Sequence, residues 1–221
     1  MADLGSNSAH HNGGLLITGA GGWFGSTLLD LLDAGSLTLP YVSVSVVLGP
    51  DDPEHLAHRW SSRATVFQGD LTDPVFVATI PKFSSLIHAA AVIHPRPALP
   101  SLRHPVDAFL SNVVMFEQAL SRLDHAGTCV LVSSIAATPS SAPGQVEPLP
   151  GYGLSKLRSE HVLLDHVRSS SVKGVILRAC WFHGQNPPTR QVRFDSSARR
   201  GRFPVFAKGA QRRSISAVQT S

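Results

Sequence analysis

A glycine-rich segment directly after the first apolar run constrains the fold of this chain most. Leu15-Leu16-Ile17-Thr18 has the length and composition of a short buried strand, and residues 23–34 carry apolar side chains at helical spacing. Glycines between a strand and a helix let backbone N–H groups approach a pyrophosphate, and the helix N-terminus offers its unpaired donors to the anion. The spacing is G-x-x-G-x-x-G, formed by Gly19, Gly22 and Gly25. The alternative is a tight turn that binds no ligand.

Further apolar runs alternate with helical patterns along the chain. Besides the first strand, the sequence predicts strands over residues 42–48, 64–67, 86–92, 128–132 and 174–177, and helices over residues 23–34, 108–123 and 152–167. Strands that are almost wholly apolar and alternate with helices indicate a parallel sheet that is covered on both faces. The predicted fold class is therefore α/β, with a doubly wound parallel sheet.

Composition excludes several other classes of protein. The chain has 221 residues, of which 43% are hydrophobic and 15% charged, which argues against a disordered chain or a coiled coil. Two cysteines, Cys129 and Cys180, are too few for a disulfide scaffold. No apolar run approaches the ~20 residues that span a bilayer, and no Lys or Arg precedes Arg59, so a signal peptide is not expected. The histidines show no metal-ligand spacing. We predict a cytoplasmic protein without membrane segments or a metal site.

A serine, a tyrosine and a lysine suggest proton chemistry. Ser134 ends the predicted fifth strand, and Tyr152 and Lys156 lie four residues apart at the start of the following helix. Residues at that spacing share a helix face. An ammonium beside a phenol is expected to lower the phenol pKa from its ordinary value of about 10, so that the phenol can exchange a proton near neutral pH. The alternative is an exposed tyrosine beside a solvated lysine.

An acid near the end of the second strand bears on the choice of cofactor. Dinucleotide folds often hold the adenosine ribose with a carboxylate at that position. Here Gly49 occupies it, and Asp51 and Asp52 follow shortly after. Asp51 can substitute for the missing acid, and no nearby arginine is placed to receive a 2′-phosphate. The sequence thus favours NAD over NADP, with Arg59 or Arg63 as the phosphate ligand if NADP were preferred.

Taken together, these motifs resemble the extended short-chain dehydrogenase/reductases, specifically the NAD-dependent epimerase/dehydratase family. The segments that carry the resemblance occur in the family order, and they are residues 18–25, 69–71, 88–91, 112–113, 133–134, 152–156 and 177–178. The resemblance covers nearly everything from residue 15 to residue 184. It implies a Rossmann fold, with an NAD(P)-binding domain at residues 15–186 after a disordered leader at residues 1–14.

The family resemblance implies a role for individual residues. The pyrophosphate would be held by Gly19, Gly22, Trp23, Phe24 and Gly25. The adenine would contact Asp70 and Leu71, and the cofactor would be lined by Ala90 and Ala91. Tyr152 would be the catalytic acid/base, with Ser134 orienting the substrate and Lys156 also binding the nicotinamide ribose. Asn112 would support Lys156 through the hydrogen-bond network. For Asp70 the alternative is a helix cap, and for Asn112 an ordinary exposed helix position.

Two departures from the family pattern limit the reaction and the substrate binding that we expect of this chain. Family dehydratases carry an Asp-Glu pair after the strand-five hydroxyl residue, whereas Ile135-Ala136 follows Ser134 here, which argues against 4,6-dehydration. The family also continues beyond the length of this chain. We therefore expect residues 187–221 to be the start of a substrate-binding region whose remainder is absent, with cofactor binding retained and turnover weak.

The C-terminal part of the chain is strongly basic. Eight of the 19 Lys and Arg residues fall within residues 190–213, against one acid, Asp195. In the family this region binds the diphosphate of a nucleotide-sugar, and arginine suits that task through bidentate hydrogen bonds. A nucleic-acid surface is not expected, because no recognisable module accompanies the charge. An unanchored, solvated and disordered tail is the third interpretation.

The predicted function is hydride transfer between NAD, or else NADP, and a small-molecule substrate through Ser134, Tyr152 and Lys156. The substrate would be a nucleotide-sugar or another secondary alcohol or ketone, and the sequence leaves epimerisation, dehydrogenation and reduction open. A homodimer is compatible with this prediction. The alternative is a non-catalytic dinucleotide-binding protein that senses redox state or acts as a scaffold.

Overall fold

The structure, a computed structural model, describes residues 13–41, 43–93, 107–139, 144, 146–147, 151–202 and 215–217. Its main sheet has six parallel strands in the order β3-β2-β1-β4-β5-β6. These strands are β1 (Gly14–Thr18), β2 (Ser43–Leu48), β3 (Thr65–Gln68), β4 (Phe83–His88), β5 (Leu123–Ser134) and β6 (Lys173–Ala179). The predicted doubly wound parallel sheet is confirmed.

Helices connect the strands, and a small second sheet follows. The helices are α1 (Trp23–Asp33), α2 (Glu54–Trp60), α3 (Pro74–Thr79), α4 (Asp107–Leu120), α5 (Tyr152–Ser169) and α6 (Thr189–Arg199). Strand β7 (Trp181–His183) pairs in parallel with β8 (Ile215–Ala217). Residues 189–199 of the basic segment are thus helical. Most of the predicted leader and of residues 203–221, and much of the segment at residues 138–150, lie outside the described residues.

The ends of α4 and β4 differ from the predictions, and one strand pairing accounts for the end of α4 and the start of β4. Helix α4 ends at Leu120 rather than at residue 123, because Leu123 pairs with Phe83 at the start of β5. That pairing also moves the start of β4 back to Phe83, and the strand ends at His88 rather than at residue 92. Helical spacing cannot reveal such pairing, since both Leu120 and Leu123 are apolar and buried.

The core lies on both faces of the sheet because alternate residues of β1 point to opposite sides. Leu15 and Ile17 belong to one buried cluster with Leu29 of α1 and Trp60 of α2. Leu16 belongs to another, which includes residues of α4 and α5 such as Phe116 and Leu163. Burial of every residue from Leu15 to Thr18 explains why β1 is a continuous apolar run.

The strand order reverses between β1 and β4, and this reversal positions the candidate site. At such a point the connections from neighbouring strands diverge to opposite faces, which opens a crevice at the carboxyl ends of the strands. The glycine segment follows β1, and Ala89 to Ala91 follow β4. Both therefore meet at the mouth of this crevice. Among the described residues, no helix is long and apolar enough to cross a membrane.

Candidate cofactor and active site

Two glycines of the turn after β1 are required by close packing. Gly19 has a φ of +74°, and a Cβ there would lie 2.5 Å from the backbone nitrogen of Ala90. A Cβ on Gly25 would lie 2.3 Å from the carbonyl oxygen of Gly19. Real side chains do not tolerate such distances, so the turn can close only with glycine at both positions. The same approach places the backbone of Ala90 directly against the turn.

The third glycine of the pattern, Gly22, has a different environment. It is exposed, and the nearest atom to a Cβ placed there is the Gly19 oxygen at 3.3 Å. Gly22 is also the N-cap of α1, and no side chain caps this helix. The first turn of α1 thus presents backbone N–H groups at an open surface, which is the arrangement that a pyrophosphate requires.

The side chains of Trp23 and Phe24 point away from this surface toward β7. Both rings pack against Phe182, with centroids 6.2 and 6.0 Å away. The Trp23 indole also donates a hydrogen bond to the carbonyl of Gln185 at 2.8 Å. Any contact of these two residues with a pyrophosphate would therefore be made by their backbone N–H groups.

At the end of β2, the carboxylate of Asp52 lies beside the glycine turn. It accepts a hydrogen bond from the Gly49 backbone at 2.7 Å, and a Cβ on Gly21 would lie 2.3 Å from its Oδ2. The structure thus places the Asp52 carboxylate beside the glycine turn, whereas the role given to Asp51 stays a prediction.

Arg59 and Arg63, the two alternative phosphate ligands, are occupied elsewhere. Arg59 pairs with Asp30 at 2.5 Å, and Arg63 pairs with Asp33 at 2.6 Å. Both acids belong to the second half of α1, far along the helix from its N-terminal turn. Both guanidinium groups therefore contact the second half of α1, whereas Asp52 lies beside the glycine turn.

Asp70 and Leu71 follow β3 as predicted. Asp70 Oδ1 accepts hydrogen bonds from the backbone nitrogen and the hydroxyl of Thr72, both at 2.8 Å. The cap of α3 is Asp73, which accepts from Val75 N at 2.8 Å, so the helix-cap alternative for Asp70 is wrong. Leu71 is buried in the core beside α3 and α4.

The structure brings Ser134 and Tyr152 together. Ser134 is the last residue of β5, and its hydroxyl accepts from Ala136 N at 3.1 Å at the start of a 3-10 turn. Tyr152 is the first residue of α5, and its phenol lies near enough to the Ser134 side chain for that side chain to act on the phenol pKa. The two hydroxyl groups thus meet at the carboxyl end of β5, where the crevice opens.

The predicted effect of Lys156 on Tyr152 is not found. Burial raises the pKa of Tyr152 above its ordinary value, and the Ser134 side chain offsets this only in part. The Lys156 ammonium instead donates to the carbonyl of Val132 at 2.7 Å. Burial lowers the pKa of Lys156 to about 8, against the attraction of Glu160. In this structure the tyrosine is therefore a neutral phenol at pH 7, opposite to the expectation from spacing.

Asn112 is a buried residue of α4, so the alternative of an exposed position is wrong. Its side chain accepts from Val92 N at 2.7 Å and donates to Val92 O at 3.1 Å and to Ser155 Oγ at 3.0 Å. It thereby fixes the segment after β4, which contains Ala90 and Ala91, relative to α5. The support of Lys156 through this network stays a prediction.

Removal of the Asn112 side chain should destabilise the fold measurably. We expect Asn112→Ala to lower the free energy of unfolding by about 2 kcal/mol, because it leaves half-buried backbone groups of Val92 without these partners. Urea unfolding followed by circular dichroism measures this difference. Glu117→Ala, at an exposed position on the same helix, is the matched control and should change stability by less than about 0.5 kcal/mol.

Two buried titratable residues near the site were given no role by sequence reasoning. His88 ends β4, lies 2.8 Å from the Thr18 hydroxyl in a hydrogen bond, and packs against Phe116. Burial, assisted by the charge of Lys156, lowers the pKa of His88 to about 3. Glu160 lies one helical turn after Lys156, and that spacing was the available signal for it. No group of three or more residues suited to a metal ion occurs among the described residues.

The sheet order and the crevice are those of a Rossmann-type nucleotide-binding protein. Residues 15–216 match the NAD dependent epimerase/dehydratase family. The chain belongs to that family, as its motifs predicted, and the family agrees with the prediction of NAD as the cofactor.

Individual relatives are similar over most of this chain. The uncharacterized protein y4nL of Sinorhizobium fredii is 31% identical over 230 residues, which cover 91% of this chain and 59% of the relative. The dTDP-glucose 4,6-dehydratase DesIV of Streptomyces venezuelae, solved with NAD bound, has a TM-score of 0.71 at 22% identity, covering 92% of this chain and 68% of its own. The UDP-glucuronic acid 4-epimerase of Bacillus cereus, solved with UDP-glucuronic acid and NAD, has a TM-score of 0.63 at 21% identity, with coverages of 93% and 69%.

Proposed function

We propose that this chain binds NAD in the crevice between β1 and β4 and transfers hydride to or from a secondary alcohol or ketone carbon of a small molecule. The observation that carries the proposal is the Ser134–Tyr152 hydroxyl pair at the carboxyl end of β5, on the same edge of the sheet as the uncapped first turn of α1. A proton-transfer pair and an anion-binding turn on one edge of a parallel sheet are what such a reaction needs.

The residues around the crevice fit the cofactor. The open surface at Gly22 and the free N–H groups of α1 suit the pyrophosphate, and the close approach of Ala90 to Gly19 forms the floor beside it. Asp52 would receive the adenosine ribose, with Asp51 as the alternative ligand, and Asp70 and Leu71 would lie at the adenine. Ala91 would line the nicotinamide side, which Asn112 holds in place through Val92.

Three side chains would then carry out the proton chemistry. Bound NAD supplies a hydride acceptor at its nicotinamide ring. Tyr152 would take the proton of the substrate hydroxyl, and Ser134 would orient that hydroxyl. Lys156, now held at the Val132 carbonyl, would bind the nicotinamide ribose and favour the phenolate when it approaches Tyr152.

The reaction class follows from what surrounds Ser134. Ile135-Ala136 forms the 3-10 turn after it, and Ile135 is half exposed. No carboxylate stands at these two positions to remove water, so we favour epimerisation, dehydrogenation or reduction over 4,6-dehydration. A nucleotide-sugar is the favoured substrate, with the arginines of α6 and the residues after it as ligands for its diphosphate. Incubation of UDP- and dTDP-sugars with the chain and NAD tests this proposal: net dehydrogenation is followed by the absorbance of NADH, and epimerisation, which returns the hydride and forms no net NADH, by chromatography of the recovered sugar.

One observation favours the second candidate, a non-catalytic dinucleotide-binding protein. Tyr152 holds its proton firmly and the Lys156 ammonium is bound to a strand carbonyl. If NAD binds but no sugar in the panel is oxidised or epimerised, this candidate replaces the first. The cytoplasmic location and the homodimer stay predictions.

Asp52 should make this chain select NAD. A carboxylate at the ribose repels the 2′-phosphate of NADP, and the Arg59 and Arg63 side chains are engaged with α1. We expect NADH to bind about 10-fold or more tightly than NADPH, and Asp52→Ser to reduce that ratio to near one. Calorimetric titration with both nucleotides measures it. Asp51→Ser is the matched control and should leave the ratio unchanged; the reverse result would make Asp51 the ribose ligand.

A further inference from the structure

A buried carboxylate, Glu160, lies next to the proposed site and has no part in the function proposed above. It is 3% exposed and accepts hydrogen bonds from Arg178 Nη2 at 2.6 Å, from Arg178 Nε at 2.9 Å and from the Ser133 hydroxyl. Burial acts to raise the pKa of Glu160, but the hydrogen bonds from Arg178 and Ser133 outweigh it and hold the pKa below its usual value. Glu160 is therefore a fixed negative charge at pH 7.

The partners of Glu160 come from two neighbouring strands. Ser133 of β5 and Arg178 of β6 are paired in register in the sheet. Both side chains reach the same carboxylate on α5, so a single group links two strands to the helix that carries Tyr152 and Lys156. Because hydrogen bonds from two strands hold this carboxylate, its negative charge keeps a constant position relative to α5.

Lys156 is the cation that this charge acts on. Lys156 is a buried residue, and its ammonium donates to the Val132 carbonyl at 2.7 Å. Tyr152 lies one turn before it and Glu160 one turn after it on α5; the Glu160 charge acts on Lys156, and the Lys156 charge acts on His88 of β4. Because burial keeps both His88 and Tyr152 uncharged at pH 7, Glu160 is the countercharge among the described residues.

We propose that Glu160 is a positioning residue of the site: fixed by Arg178 and Ser133, its carboxylate keeps Lys156 in the ammonium form that the cofactor ribose and the phenol of Tyr152 require. The inference rests on the proposed function, since that function gives Lys156 its role. The charge coupling itself can be measured without cofactor or substrate.

The pH dependence of folding reports on Lys156 directly. Burial places its pKa at about 8 in the folded chain, below the ordinary lysine value of 10.5. Between these two pH values the unfolded chain binds more protons than the folded chain, so the free energy of unfolding rises with pH across this window. Urea unfolding from pH 6 to pH 11, compared in each background with Lys156→Met, isolates the rise that belongs to Lys156.

Removal of the charge at Glu160 should move the start of this rise. We expect Glu160→Gln, which retains hydrogen-bonding atoms, to lower the onset, the pH at which this rise begins, by roughly one pH unit. Glu160→Asp, which keeps the charge, should bring the onset back close to that of the parent chain. Asp165→Asn, an exposed acid on the same helix, is the matched control and should leave the onset in place.

A merely structural role would give a different result. It would lower the free energy of unfolding equally at every pH and leave the onset where it is, and that outcome overturns the proposal. If Glu160→Gln does not fold, Arg178→Gln tests the same coupling with the opposite sign: removal of the arginine strengthens the net negative charge, so the onset should move to higher pH. An onset that stays or falls in that variant also overturns the proposal.

Cofactor titration separates this inference from the proposed function. If the inference and the proposed function are both correct, NAD affinity should fall as the pH rises, and the fall should begin at a pH about one unit lower in Glu160→Gln than in the parent chain. A shifted unfolding onset in a chain that binds no NAD would uphold the coupling and reject the proposed function. Tight NAD binding with an unshifted onset would reject the coupling alone.

Discussion

Gly22→Val should abolish NAD binding while leaving the chain folded. In this turn Gly22 is the glycine where a Cβ meets no backbone closer than 3.3 Å, whereas a Cβ at Gly19 or Gly25 would clash at 2.5 and 2.3 Å. A valine at position 22 therefore fits the free chain but covers the N–H groups of α1. We expect NADH affinity to fall on the order of 100-fold or more, since the pyrophosphate can no longer approach the backbone. Calorimetry with NADH measures the loss.

Stability and a matched variant make this result specific. The free energy of unfolding of Gly22→Val should stay within about 1 kcal/mol of the parent, because no buried group is lost. Gly35→Asn, at a left-handed position after α1 with open space around it, is the control and should bind NADH normally. Parent-like NADH affinity in Gly22→Val would show that the pyrophosphate does not lie on this turn.

Tyr152→Phe should separate cofactor binding from chemistry. Loss of the phenol hydroxyl removes the proposed proton carrier beside Ser134 but leaves the glycine turn intact. We expect hydride transfer with the best nucleotide-sugar of the panel to fall roughly 100- to 10,000-fold, the usual contribution of a general acid–base. NADH affinity should change less than about threefold, because binding depends mainly on the backbone at the turn.

The second tyrosine of the chain provides the control for this experiment. Tyr41 lies between α1 and β2, on the cluster that contains Trp60 and away from the carboxyl edge of the sheet. Tyr41→Phe should retain both NADH affinity and turnover. Turnover that survives in Tyr152→Phe would remove Tyr152 from the acid–base role and leave Ser134 as the group to examine.

Local patterns were sufficient for those parts of the molecule that depend on neighbours in sequence. The apolar run at Leu15 predicted a buried strand, and burial on both faces is the reason it has no polar alternation. The glycine spacing predicted a strand-to-helix turn, and the packing of Gly19 against Ala90 is the physical requirement behind it. The spacing of Tyr152 and Lys156 correctly placed both residues on the first turns of one helix.

Contacts between residues distant in sequence were decided only by the tertiary structure. The sequence by itself determined the fold class, the family and the set of motifs, because each of these is written in short, nearly continuous segments. It could not show that Asp52 accepts a hydrogen bond from Gly49 after β2, nor that Asn112 binds Val92. It gave the wrong direction for the Tyr152 pKa, because burial and the capture of Lys156 by the Val132 carbonyl depend on how α5 packs against β5. The Glu160 network needs the register of β5 and β6, which no spacing along one chain segment encodes.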